Sequence, residues 1–311
     1  MPPTARSHHY VPEFYIAGFT PSGSRDDFLW VHDRKEKKGW RQRPREVACE
    51  RDYYRIDVDG LPPDAIERDV LGKLEDLGAQ ALARISSEKT VPTGEMLDAL
   101  IGFVTLLAVR TPRFREQYFR NQRDLIRFQC RFVIGHPQAF QAFKQSMAQR
   151  GKPVPDDWTS ESLLAFLDDE SRYTIEIPQM WAIRNLLDMF QALLPVIAGR
   201  LWSLFESADD DFISSDNPVS LNAAGPEAGR HFGIGTPHTE ITLPISRSLT
   251  LIGSLDEPGI VHDAGKMEVG LINQRTLDSA HRFVYSARKA FVVSVPRTAT
   301  RDDPDVRRTD P

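Results

Sequence analysis

The sequence predicts an α+β protein: a helical bundle in the middle of the chain, flanked by N-terminal and C-terminal antiparallel β segments that pack together. Three observations carry this reading. Short runs of apolar and β-branched residues, punctuated by turn residues, lie before Gly60 and after Leu201. The stretch between them repeats its apolar residues at helical spacing. Of the 311 residues 41% are hydrophobic, enough to fill a sizeable core.

The elements follow in order. EFYIAGF is a short helix with Pro12 suited to its first turn. FLWVHD, a charged turn through Arg34–Gly39, GWRQRP and DYYRID read as strands, and Leu61–Pro63 closes that section. Asp64 suits the N-cap of a helix carrying Ile66, Val70, Leu74, Leu77, Leu82 and Ile85. Gly94 opens a second helix that ends near Arg110–Thr111–Pro112. A third spans Arg113 to Ile134 and breaks at Gly135–His136–Pro137. Helix resumes at Gln138–Arg150, after Ser160, and from Pro178 to Gly199. LWSLF and DFISS are strands, SDNP is a turn, and VSLN resumes the strand. ITLPIS and LTLIGS make a hairpin about Ser246–Ser248. A last helix, Lys266 to Tyr285, precedes the strand AFVVSV. The linkers near Gly60 and Gly151–Trp158 are short, so the expectation is one compact domain over residues 1–296. Residues 297–311 are expected to form a polar, disordered tail.

Charge and composition narrow the function classes. A net charge of -5 creates no global positive field to pull the molecule onto nucleic acid or acidic lipid. Two cysteines, Cys49 and Cys130, cannot build a disulfide framework and point to a reducing compartment. The N-terminal residues lack the apolar run of a secretory signal, and the run Ala99–Val109 falls short of the roughly 20 residues that span a bilayer. The expected address is the cytoplasm, with no membrane partner. Phosphate-binding loops, zinc-protease helices, paired-cysteine motifs and nucleophile elbows are absent. GIGTPH at Gly233–His238 lacks the third glycine of a dinucleotide fingerprint.

Seven segments stand out as a set: HHYVPEFY at His8–Tyr15, PREVACERDYY at Pro44–Tyr54, LEDLGAQAL at Leu74–Leu82, AVRTPRFRE at Ala108–Glu116, FISSDNPV at Phe212–Val219, LPISRSLTL at Leu243–Leu251 and GLINQRTLDSAHRFVYS at Gly270–Ser286. In this order they resemble the bacterial family of domain-of-unknown-function 4238 proteins, over nearly the whole chain apart from the tail. The resemblance implies one intracellular domain with its outer segments brought together. It carries no reaction and no established catalytic residue.

Two function classes remain. In the first, the chain is a hydrolase whose cleft forms where the HHYVP arm meets the SDNP turn and the last helix. His8 and His9 sit side by side, so on an extended strand their rings face opposite ways and one at most enters a given pocket. That histidine would act as base, with Asp216 orienting it or sharing a metal and Asn217 donating to a developing oxyanion. Two His and one Asp make a three-ligand set, so a divalent metal is the optional cofactor. The plainer reading of Asp216-Asn217-Pro218 is turn chemistry, in which Asp216→Asn keeps the turn. Arg110, Asn273 and His281 are the substrate-binding candidates, for a small-molecule or polymeric substrate. Asn273 and His281 are expected on one helix, and Arg110 has a plainer role as a structural clamp with Glu75. In the second class, the chain is a non-catalytic binding module. Arg120, Arg123, Arg127 and Arg131 fall within about 80° on a helical wheel, opposite Phe114, Tyr118, Leu125, Phe128 and Phe132. That basic face would hold nucleic acid or an acidic protein partner, while the apolar face is expected to be buried.

Overall fold

The computed structural model describes residues 7–56, 59–155, 157–223, 232–257 and 259–294, together with the backbone of 306–308. In chain order, β1 (Ser7–His9), α1 (Glu13–Ala17), β2 (Leu29–Asp33), β3 (Lys38–Gln42) and β4 (Cys49–Arg51) come first. A π-helical segment, Ile66–Leu71, runs into α2 (Gly72–Glu88) and is followed by α3 (Glu95–Val109). Then come α4 (Pro112–Gly135), α5 (Pro137–Gln149), α6 (Ser160–Asp168) and α7 (Gln179–Ala198). The C-terminal part holds β5 (Leu201–Glu206), β6 (Ser214–Ser215), β7 (Ser220–Ala223), β8 (Thr239–Pro244), β9 (Leu249–Ser254) and β10 (Val261–Asp263). It closes with α8 (Lys266–Ser279), β11 (Phe283–Ser286), β12 (Phe291–Val293) and β13 (Val306–Arg308). The α+β class therefore stands.

Packing groups the chain into two compact units, one of residues 1–114 with 186–311, the other Arg115–Asn185. In the first unit the two ends of the chain share a sheet. Its strand order is β3-β2-β11-β6, with Val31 opposite Tyr285 and Tyr285 opposite Ser214. A second sheet, ordered β10-β5-β9-β8-β7, is antiparallel except for the β10–β5 pair. The hairpin expected about Ser246–Ser248 is its β8–β9 connection. Buried Tyr15, Phe19, Leu29, Tyr54, Phe103 and Tyr285 belong to one hydrophobic cluster. Each large side chain taken fully from water contributes about 2–3 kcal/mol. At Gly78, α2 comes so close to α3 that a Cβ would overlap the Phe103 ring, a backbone approach only glycine permits.

Two elements differ from expectation. DYYRID is not a strand: β4 ends at Arg51, Asp52 takes a left-handed φ of 56°, and Tyr53 and Tyr54 turn into the core. The last helix stops at Ser279, six residues early, because the chain beyond it is claimed by β2 and β6. His281 therefore lies outside α8. Apart from Val306–Arg308, whose backbone pairs in parallel with β12, residues 297–311, the expected tail, lie outside the described residues.

The second unit is helical. A reciprocal Thr159–Ser162 capping box starts α6. The expected apolar face of α4 is not buried: Leu125, Phe128 and Phe132 are 47%, 66% and 54% exposed. The half-buried side of the helix instead carries Ile126, Cys130, Val133 and Ile134, small and branched residues that leave the phenylalanines facing outward. No helix among the described residues is long and apolar enough to cross a membrane.

Candidate active site

The N-terminal arm is fixed by pairing β1 with β4, His8 opposite Glu50 and His9 opposite Cys49. Alternation then sends the two imidazoles to different surroundings. His8 is buried; its Nδ1 accepts the Tyr54 N–H at 2.8 Å and its ring stacks on Tyr54 at 5.9 Å. His9 is half-buried, and the Arg45 backbone favours the charged form of its ring. Among the described residues, His9 Nε2 is buried without a partner. Desolvation lowers the His9 pKa below 6.5, with Arg110 acting in the same direction and Glu13 and Glu75 against it. Beyond the histidines, Tyr15 donates its hydroxyl proton to the Pro244 carbonyl at 2.5 Å and lies 3.0 Å from Ser214 Oγ. The arm is thus docked beside the segment that leads into Asp216, as its aromatic content requires.

Arg110 is the largest fully buried side chain among the described residues. Its guanidinium donates to Glu75 Oε1 at 2.5 Å, to the Tyr54 hydroxyl at 3.2 Å and to the His9 carbonyl. Tyr54 lies beneath it, ring centroid 5.5 Å away, and burial pushes the Tyr54 phenol up to about 12. With its donors committed inside the protein, Arg110 is a clamp that ties the arm to α2, and not a free anion-binding group. Glu67 lies on the π-helical segment, a helix form that recurs at functional sites. Its Oε2 is buried and has no hydrogen-bond partner among the described residues. Desolvation raises its carboxyl to about 7, with Arg110 lowering it and Glu75 raising it. His9 and Glu67 thus both feel the Arg110–Glu75 pair, while burial pushes the imidazole down and the carboxyl up.

That placement has a cost to stability. The Glu67 carboxyl holds its proton more tightly in the folded chain, near 7 against an ordinary value of 4.5, so the fold loses stability as pH rises through that window. The loss is about 2 kcal/mol after allowing for the solvent that reaches part of the side chain. Glu67→Gln should accordingly melt higher than wild type at pH 8 and match it at pH 5. Equal melting curves at both values would show a freely solvated carboxylate.

Asp216 makes its side-chain hydrogen bonds to the chain after α8 rather than to the arm. Its two oxygens accept the backbone N–H groups of His281, Arg282 and Phe283, each at 2.8 Å. Burial pushes its carboxyl up while these three bonds oppose the shift. Asn217 is equally committed: its Nδ2 donates to Ser279 at 3.0 and 2.7 Å, and its Oδ1 accepts from Thr111 at 2.8 Å. Asn273 is fully buried, accepting from the Ile213 N–H and donating to the carbonyls of Asp211 and Val292. His281 is exposed beyond the helix end. The SDNP turn and α8 therefore form a lock between sheet and helix, built from saturated polar groups. The expected His8–His9–Asp216 ligand set is not assembled, and among the described residues no group of three or more His, Cys, Asp and Glu is placed to hold a metal ion.

In the second unit two of the four arginines are paired. Arg127 bonds Asp124 at 3.0 Å, Glu170 at 2.7 Å and the Tyr173 hydroxyl at 3.3 Å, and Arg131 bonds Asp168. Arg120 is exposed and Arg123 half-buried.

Glu67 is the functional candidate that sequence reasoning missed, and Tyr54 was quoted only as part of a motif. The available signal was spacing: Glu67 and Glu75 each follow an apolar position, Ile66 and Leu74, eight residues apart, and so border one helix stripe.

What the fold and this cluster define is an α+β protein whose N-terminal arm is anchored against the buried Arg110–Glu75 pair. The chain belongs to the family described as protein of unknown function DUF4238, whose model matches residues 7–290. No curated protein and no solved structure matches it.

Proposed function

We propose that this chain is a hydrolase working by general acid–base catalysis, with His9 as the base and Glu67 as the acid. One observation carries the reading: His9 Nε2 and Glu67 Oε2 are both buried without partners and both lie in the field of the Arg110–Glu75 pair. Unsatisfied polar atoms are costly, and a pair of them beside a buried ion pair is where a reacting group can be received. Hydrolysis needs only water, a base and an acid, and these two side chains would supply the base and the acid. His9 Nε2 takes a proton from water as its oxygen attacks the electrophilic atom; Glu67 gives its proton to the departing oxygen or nitrogen. The proton on His9 then returns to Glu67 through solvent. Arg110 acts as a positioning residue through the His9 carbonyl. The alternative of a binding module on the basic face of α4 is weaker, because Asp124, Glu170 and Asp168 already neutralise half of it. The two free, half-buried thiols and the bacterial family resemblance support a reducing, cytoplasmic setting in a bacterial cell.

The test is a screen of chromogenic esters, phosphoesters and glycosides, followed by pH profiles. The base works above its lowered pKa and the acid below about 7, so kcat/KM should form a bell whose alkaline limb falls near 7. Glu67→Gln and His9→Gln should each reduce kcat by about 100-fold or more, the first also removing the alkaline limb. Hydrolysis retained by both variants, or no turnover in any class, overturns the assignment.

A further inference from the structure

The second unit contains a cavity of about 480 Å³ between α4, α5, the segment 152–155 and α6. Its size falls within the usual range for small-molecule sites, about 300–1,000 Å³. Its construction follows from the sequence. α5 ends in a Schellman turn: Gly151 takes a φ of +71°, its N–H bonds the Ala148 carbonyl at 3.0 Å, and the Lys152 N–H bonds the Met147 carbonyl at 2.9 Å. That turn fixes where Lys152 leaves the helix. Pro153-Val154-Pro155 follows as a wall, and its two prolines bring no N–H donors to the cavity. The other walls are apolar, with Val133 on α4, Phe143 and Met147 on α5, and Trp158 before α6. Phe143 and Trp158 are 41% and 49% exposed, large aromatics left at an open rim.

Lys152 is the one charged side chain in this lining. Among the described residues no carboxylate pairs with it. An apolar chamber bordered by a lysine with no carboxylate partner among the described residues selects by charge as well as by shape. We propose that this unit binds a free fatty acid, with its alkyl chain in the chamber and its carboxylate on the Lys152 ammonium. A peptide segment or a second copy of the chain would bring backbone polar groups into walls that offer few partners for them, at a desolvation cost. An alkyl chain brings none.

Cys130 lines the same chamber, and Cys49, the chain's other cysteine, lies in the first unit. Thiol reactivity therefore reports occupancy with an internal control. The experiment titrates the full chain with decanoate and with decanol by calorimetry, and follows alkylation of both cysteines by mass spectrometry. Decanoate should bind saturably and protect Cys130 while Cys49 reacts unchanged. Lys152→Gln should weaken decanoate about tenfold and leave decanol unaffected, since one charge-assisted bond is lost. Val133→Trp should fill the chamber and abolish binding of both, with folding checked by circular dichroism; Met147→Trp is the second filling variant. Saturable binding without Cys130 protection, equal decanoate affinity in Lys152→Gln, or no binding at all overturns the proposal. So does a wild-type dimer in sedimentation that Val133→Trp converts to monomer without any decanoate binding, which would make a second copy the occupant.

Discussion

Asp216→Ala should lower the unfolding free energy by about 3–5 kcal/mol, because three buried N–H groups lose their acceptor and each stranded donor costs about 1–3 kcal/mol before water reaches any of them. The amides of His281, Arg282 and Phe283 converge on this one carboxylate at the point where α8 gives way to β11. Their loss should loosen the β11 pairing with β2 as well as the SDNP segment. Asp216→Asn is the sharper comparison. A lone turn tolerates asparagine, and the sequence alone suggests a silent substitution. The carboxyamide, however, has one acceptor oxygen and an NH₂ that must face at least one donor. A loss of about 2–3 kcal/mol is therefore expected for Asp216→Asn, measured by urea unfolding at neutral pH. A variant as stable as wild type would show that the nest of amides relaxes around a neutral side chain. The lock role also separates this residue from chemistry: any remaining folded fraction should keep its specific activity.

Much of the fold was legible because its signals are local. Periodicity located β2, β8, β9 and α3, the Ser246–Ser248 hairpin followed from turn residues between apolar runs, and Pro112 marked the start of α4. Failures occurred where a distant partner decides. Residues 280–285 continue a helical pattern, yet Asp216, more than 60 positions earlier, captures their amides and hands them to a sheet. Tyr53 and Tyr54 have strand composition, yet the stacking of His8 and the clamp of Arg110 draw them into a turn. The aromatic stripe of α4 has the spacing of a buried face, but burial depends on which helices pack against it, and spacing is silent on that.

The candidate site divides in the same way. The adjacent histidines were visible, and alternation already implied that only one could serve. The choice of His9 over His8 rests on what sits opposite each ring: a backbone amide occupies His8 Nδ1, while His9 Nε2 finds no partner among the described residues. Asp216 and Asn217 drew attention for a sound reason, since buried polar groups mark either a reactive centre or a structural lock. Counting their hydrogen bonds separates the two outcomes. A group whose acceptors are all engaged holds the fold; one that is buried and unpaired has capacity left for a substrate. Glu67 meets the second condition.

Arg110→Met should match Asp216→Ala in the size of its effect on the first unit. The guanidinium holds Glu75, the Tyr54 hydroxyl and the His9 carbonyl at once. Methionine restores much of the volume but leaves the Glu75 carboxylate beside a buried, empty electrostatic partner. Breaking one side of a buried pair typically costs about 3–5 kcal/mol. Replacing both residues, in Arg110→Met with Glu75→Leu, should recover most of that loss, because the desolvated charges then vanish together. Lysine should rescue poorly: its single ammonium cannot reach three acceptors that a planar fork spans. The titration of Glu67 supplies a readout that a purely structural clamp would not move. Arg110 now pulls the Glu67 carboxyl down and Glu75 pushes it up, with desolvation the larger influence. Removing the cation alone should therefore shift the carboxyl above its present value of about 7. The alkaline limb of any activity should move to higher pH with it. Removing both charges should leave that limb between the two single-charge states. An alkaline limb that stays fixed across the series would detach Glu67 from the Arg110–Glu75 field and, with it, from the proposed acid role.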